Sequence, residues 1–101
     1  MDNLTHALFT ENLNSDFNLS LDETTTVQLV LAEVSALRES DRNQFFSILF
    51  RGPVDSMLPQ ALYKIEHERM GSFDIFLVPV GLTEAGYQYE AVFNRVKEKT
   101  S

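Results

Sequence analysis

The side chains of this sequence that could do chemistry are few and scattered. The candidates for an interaction or polar cluster are one arginine, one histidine and two glutamates: Arg51, Glu66, His67 and Glu90. An arginine that ends an apolar strand usually finds a carboxylate, so Arg51 is expected to pair with Asp55, Glu66 or Glu90 and to have a structural role. An arginine that grips a ligand is the alternative.

The segment His67-Glu68-Arg69-Met70-Gly71 comes close to a zinc-protease motif but lacks its second ligand. That motif needs two histidines four residues apart on one helix face, and Gly71 stands at the second position. Glu66 and His67 do not replace the pair, because adjacent strand residues point to opposite faces. Acidic pairs such as Asp22-Glu23 lack the alternating ligands and turn glycine of a calcium loop. We therefore predict no catalytic residue, no metal site and no cofactor.

The composition indicates one small acidic domain. The chain has 101 residues, no cysteine and a net charge of -7 from 15 acidic and 8 basic residues. This charge argues against partners with an anionic surface, whether nucleic acid or membrane. The N-terminus has neither the basic nor the apolar region of a signal peptide. The default expectation is a cytoplasmic protein, with signal-independent export or incorporation into an extracellular assembly left open.

The segment from Gly71 to Gly81 organises the predicted fold as one long strand. Its first half is amphipathic, whereas both faces are apolar from Ile75 onward, which predicts that other parts of the chain cover both faces. Pro79 cannot donate to a ladder, so we expect an edge or a bulge there. The Phe-rich segment from Gln44 to Arg51 is also apolar on both faces and is expected to lie beside this strand.

Apolar periodicity and turn residues predict one short helix followed by six strands. The helix, residues 5–13, is capped by Thr5 and is expected to plug one end of the sheet. A bulge is expected near Ala32-Glu33, where the alternation changes face, and the connector 54–60 is expected to act as a lid. Short turns give antiparallel neighbours, and strands apolar on both faces favour closure. We predict a single mainly β domain, an antiparallel barrel or roll, with strands at about 16–21, 25–36, 44–51, 61–67, 72–80 and 87–94 and a tail at 95–101.

Several strings in the sequence together resemble a family of small bacterial single-domain proteins of unknown function. They are Phe50-Arg51-Gly52-Pro53, Leu58-Pro59-Gln60, Tyr63 with Glu66-His67, Gly71 with Phe76-Leu77-Val78-Pro79-Val80-Gly81, and Tyr89-Glu90-Ala91-Val92-Phe93-Asn94. The resemblance implies a bacterial source and no assigned activity. Such proteins look like neighbours of phage-tail-collar and fibre proteins, which implies an accessory or structural part.

Three functions are consistent with this sequence. The first is a non-enzymatic structural or protein-interaction module with a protein partner, possible self-association included, and its most specific form is an assembly component of a phage-tail-collar-like fibre system. The second is a barrel that binds a small ligand in a pocket lined by Phe45, Tyr63, Phe76 and Tyr89. The third is an enzyme of unknown type, for which Arg51, Glu66, His67 and Glu90 are the residues to substitute.

Overall fold

The computed structural model describes residues 4–96. Within them it contains α1 (His6–Glu11), β1 (Asp16–Ser20), β2 (Thr26–Val34), β3 (Arg38–Glu39), β4 (Asn43–Arg51), β5 (Ala61–His67), β6 (Gly71–Thr83) and β7 (Gly86–Val96). The strand order is β2-β1-β5-β6-β7-β4-β3, and an additional pairing of β2 with β4 closes six strands into an antiparallel barrel. The predicted mainly β barrel with a short N-terminal helix is therefore confirmed. In this part of the chain no helix has the length and apolar character needed to span a bilayer.

Two ladder irregularities fall where the sequence predicts them. The register between β2 and β4 shifts between Leu31 and Glu33, which confirms the predicted bulge. The register between β6 and β7 shifts between Pro79 and Gly81. Proline has no N–H to donate, so a ladder that reaches it is interrupted or bulged.

The strands differ from the predicted ones in several places, and β6 continues to Thr83, three residues beyond its predicted end. β3 (Arg38–Glu39) lies in a stretch that reads as loop, because its two residues are charged and exposed and carry no apolar alternation. β2 ends at Val34, two residues earlier than predicted. β7 continues through Val96, where it pairs with Asn43, so the first part of the predicted tail is strand. The rest of that tail, 97–101, lies outside the described residues.

The prediction that the Phe-rich strand lies beside the strand from Gly71 to Gly81 is wrong. The Phe-rich strand, β4, lies between β7 and β2, so β7 separates it from β6. Two strands separate β4 from β5, which follows it in the sequence. The connector of residues 52–60 therefore crosses one end of the barrel before β5 begins. Short turns place consecutive strands side by side, but a connector of this length carries no such constraint.

The prediction that both faces of the long strand are covered is also wrong. β6 changes partner along its length: residues 71–77 pair with β5, and the ladder to β7 spans residues 78–83. Ile75 and Leu77 point into the barrel and are buried, whereas Phe76 and Val80 point outward and are about half exposed. The apolar residues on the second face therefore lie on the outside of the barrel.

Phe9 of α1 closes one end of the barrel, as predicted for the helix. Its side chain is fully buried. Its ring centroid lies 5.4 Å from that of Phe93 and 6.2 Å from those of Phe46 and Phe73. Thr5 caps the helix with its side-chain oxygen. A six-residue helix is marginal alone, so contacts with the barrel, the packing of Phe9 among them, hold α1 in place.

The connector of residues 52–60 lies across the other end. Leu58 is buried, and its backbone N–H donates to the hydroxyl oxygen of Tyr89 at 2.8 Å. The hydroxyl of Tyr63 donates to the carbonyl oxygen of Pro59. Two tyrosines that point inward from β5 and β7 therefore hold the lid with their polar tips, while their rings fill the core.

Substitution of Tyr89 by phenylalanine is expected to lower the free energy of unfolding by about 1–3 kcal/mol, because the buried N–H of Leu58 loses its acceptor. The measurement is urea unfolding followed by circular dichroism. Tyr87→Phe is the matched control, since Tyr87 lies on the same strand and is less buried. Equal effects of the two substitutions would contradict the role given to the Tyr89 hydroxyl.

Candidate functional site

Glu66 and His67 lie at the end of β5 on opposite sides of the barrel wall. Glu66 points outward, and the hydroxyl of Ser72 donates to its carboxylate at 3.4 Å. His67 points inward and is only 6% exposed. The alternation of strand side chains separates them, as the sequence predicts. The two residues therefore do not converge on one ligand.

Arg51 and Glu90 lie on the outside of β4 and β7. Arg51 pairs across the strands with Gln88, and Glu90 pairs with Leu49, so Arg51 and Glu90 are diagonal neighbours with Cα atoms about 7–8 Å apart. Glu90 borders a surface depression of about 270 Å³. Glu66 and His67 border a different one of about 250 Å³. The structure thus places the four predicted residues in two separate regions.

The residues predicted to line a ligand pocket also divide between the two faces. Tyr63 and Tyr89 point into the barrel and are buried. Phe76 points outward from β6 opposite Leu62, and Phe45 points outward from β4 opposite Asn94. The four aromatic side chains therefore do not enclose a common cavity.

His67 is instead the centre of a partly buried network of hydrogen bonds. Its Nδ1 accepts hydrogen bonds from the backbone N–H groups of Arg69 at 3.0 Å and Met70 at 3.2 Å. A nitrogen that accepts two N–H bonds carries a lone pair, so in the neutral ring the proton is on Nε2. Nε2 lies 2.8 Å from the hydroxyl oxygen of Ser15 and donates to it.

The series of hydrogen bonds continues from Ser15 to the end of α1. The Ser15 hydroxyl donates to the carbonyl oxygen of Asn12, a buried residue. The Asn12 side-chain amide donates to the carbonyl oxygen of Leu8 at 2.8 Å, and its oxygen accepts from Nη1 of Arg69 at 3.0 Å. Asn12, Ser15, His67 and Arg69, called the His67 network below, thus tie α1 to the turn between β5 and β6.

The Ser15–His67 contact has the wrong polarity for a catalytic dyad. A general base must accept the proton of the serine hydroxyl on a free imidazole nitrogen. Here Nε2 donates to Ser15, and the serine proton is directed to a backbone carbonyl. The ring also packs against Phe17 at a tilt of 38°, with centroids 4.3 Å apart. The arrangement stabilises a neutral histidine and does not activate a nucleophile.

Burial lowers the pKa of His67 below its ordinary value of about 6.5, and the positive charge of Arg69 lowers it further, against an opposing effect of Glu68. Protonation at Nδ1 would also turn its proton towards two N–H donors. The folded state therefore binds this proton less tightly than the unfolded state.

Acidification is accordingly expected to weaken the fold through His67. The contribution of the neutral ring is fully present above the unfolded pKa and is lost as the pH falls through the folded pKa. The measurement is urea unfolding between pH 7 and pH 5 for the wild type and for His67→Gln, which cannot titrate there. We expect a steeper loss of stability in the wild type. Parallel curves would contradict the assignment.

Among residues 4–96, no three His, Asp or Glu side chains are arranged to hold a metal ion. Three members of the His67 network, Asn12, Ser15 and Arg69, were not among the sequence candidates. Each is separated from its partner across the network by more than half of the chain. Asn14-Ser15-Asp16 is a typical stop for the helix, which accounts for the local fold but carries no information about the distant partners.

Apolar side chains on three neighbouring strands point to the outside of the barrel and form a cluster there. Leu62 on β5 is 64% exposed and pairs with Phe76 on β6, which is 49% exposed. Val78 pairs with Glu90, and Val92, two residues beyond Glu90 on the same face of β7, is 69% exposed. Leu62, Phe76, Val78 and Val92 are called the apolar face below.

One comparison with known proteins gives a match. A family model described as a domain of unknown function (DUF6916) matches residues 4–93, which is nearly the whole chain. Neither a curated protein nor a solved structure gives a significant match. The match agrees with the predicted resemblance to a family of unknown function.

Proposed function

Because this chain belongs to the family described as a domain of unknown function (DUF6916), we propose a role from its surface: a non-enzymatic structural or protein-interaction module. In this proposal the apolar face receives a protein partner. The His67 network has a structural role, and Arg51, Glu66 and Glu90 are polar residues of the barrel exterior.

The observation that carries this proposal is the exposure of the apolar face. Leu62, Phe76 and Val92, on three adjacent strands, are each about half exposed or more. Single exposed apolar residues are ordinary, but a contiguous group on a rigid sheet is typical of a site that another molecule covers. The aromatic ring of Phe76 at its centre has the character of an interface anchor.

The reversed polarity of the Ser15–His67 contact supports a role without catalysis, because the most reactive-looking pair in the described part of the chain holds its protons in structural hydrogen bonds. The resemblance to neighbours of phage-tail-collar proteins supports the more specific form of the proposal. In that form the module is an assembly component of a tail-like fibre, made in the cytoplasm and incorporated into a larger structure.

A photo-crosslinking amino acid placed at position 76 tests the proposal in the native host. We expect crosslinked species that contain this chain and a protein partner. The same probe at Leu21, an exposed apolar residue in the turn after β1, is the control and should give none of these species. Identical crosslinks from both positions, or none from position 76, would overturn the proposal.

A further inference from the structure

We propose that the occupant of the apolar face is a second copy of this chain, docked about a two-fold axis that passes through Phe76. This inference rests on the proposed function, since it names the partner of the same surface. The evidence is the placement of charges around the apolar face.

Two opposite charges, Lys64 and Glu90, lie at opposite corners of the apolar face. Lys64 on β5 is two residues beyond Leu62 and pairs with Asp74. Glu90 on β7 pairs with Val78, on the other side of Phe76 along β6. Lys64 and Glu90 are therefore separated by two strand spacings and four residues, about 10 Å across and about 14 Å along the sheet. Phe76 lies at the middle of the line that joins them.

This placement is self-complementary. A two-fold axis that lies in the interface, perpendicular to the line from Lys64 to Glu90, exchanges the two ends of that line. Lys64 of each copy then faces Glu90 of the other, and the two Phe76 rings meet at the centre. Each contact occurs twice, as a symmetric dimer interface requires. Asp74, the cross-strand partner of Lys64 in its own chain, is a further charge at the border of the apolar face.

Two features set the strength of this association. Each copy has a net charge of -7, which opposes contact between copies. The face is the convex outside of a small barrel, so the buried area is expected to fall below the roughly 1,200 Å² of stable complexes. We therefore expect a reversible dimer that forms as the concentration rises, with the Lys64–Glu90 pairs fixing its orientation.

Sedimentation equilibrium over micromolar to millimolar concentrations tests the dimer. The wild type is expected to rise from the monomer mass of 11.5 kDa towards twice that mass. Phe76→Ser should remain monomeric, whereas Val54→Ser, an exposed apolar residue outside the face, should behave as the wild type. Circular dichroism of each variant verifies that the barrel is folded.

Charge reversal gives the decisive comparison. Lys64→Glu and Glu90→Lys are each expected to weaken dimerisation about tenfold, because like charges then face each other twice, and the double variant should recover it. A protein that is monomeric at every concentration, or a double variant without recovery, overturns the proposal. If the probe at position 76 still captures a different protein, the proposed function survives and the self-association does not. If it captures nothing, both are overturned.

Discussion

Replacement of Phe9 by alanine is expected to lower the free energy of unfolding by about 3–5 kcal/mol, one of the largest effects of any single substitution in this chain. Phe9 is fully buried and contacts three other phenylalanines at the end of the barrel. Its removal leaves a cavity among those rings and removes the only buried side chain within α1. Chemical denaturation measured by circular dichroism gives the loss directly.

The matched control for Phe9 is Glu11→Ala on the same helix. Glu11 is exposed, and alanine is at least as good a helix former, so we expect a change within about 0.5 kcal/mol. A Phe9→Ala variant as stable as this control would show that α1 is not needed to close the barrel.

Substitution of Gly86 by alanine is expected to destabilise the fold by about 3–5 kcal/mol, for two reasons that add. Gly86 begins β7 with φ of 143°, a conformation that side chains rarely adopt. A Cβ atom there would also overlap the carbonyl oxygen of Gly52. The hydrogen bond from Gly52 N–H to the Tyr87 carbonyl, 2.8 Å long, holds the two segments together. Moving Gly52 away from the new Cβ atom would therefore break this hydrogen bond.

Gly71 separates these two reasons. It also has positive φ, 81°, but a Cβ atom there meets no other atom within 4 Å. Gly71→Ala is therefore expected to cost about 1–2 kcal/mol from backbone strain alone. The difference between the two variants in urea unfolding measures the steric part. Equal losses would mean that the turn at Gly86 moves away from Gly52 without cost.

The fold could be predicted from the sequence because local signals fix most of it. Alternating strands, the Thr5 cap, the shift of face near Glu33 and the missing N–H of Pro79 each act within a few residues. The order of strands could not, since the connector before β5 bridges non-adjacent strands. Apolar residues on both faces of β6 also do not distinguish a strand covered on both faces from one with an exposed apolar face.

The sequence predicted only one member of the His67 network. His67 was a candidate, but its role depends on Ser15 and Asn12, which approach it only through the pairing of β1 with β5. The polarity of their contact depends on the two N–H groups of the following turn. The position of the proton on the neutral His67 ring depends on this three-dimensional geometry, and no spacing in the sequence encodes it.

The pairing of β1 with β5 has a consequence for the order of folding. It comprises three residue pairs, from Asn18 with Glu66 to Ser20 with Lys64, and joins segments far apart in the chain. Hairpins such as β5–β6 close short loops at little entropic cost. The pairing of β1 with β5 closes a long loop and gains few contacts in return. The hairpins are therefore expected to form first, and the pairing of β1 with β5 is expected to form last. The hydrogen bond between Ser15 and His67 then stabilises the closed barrel.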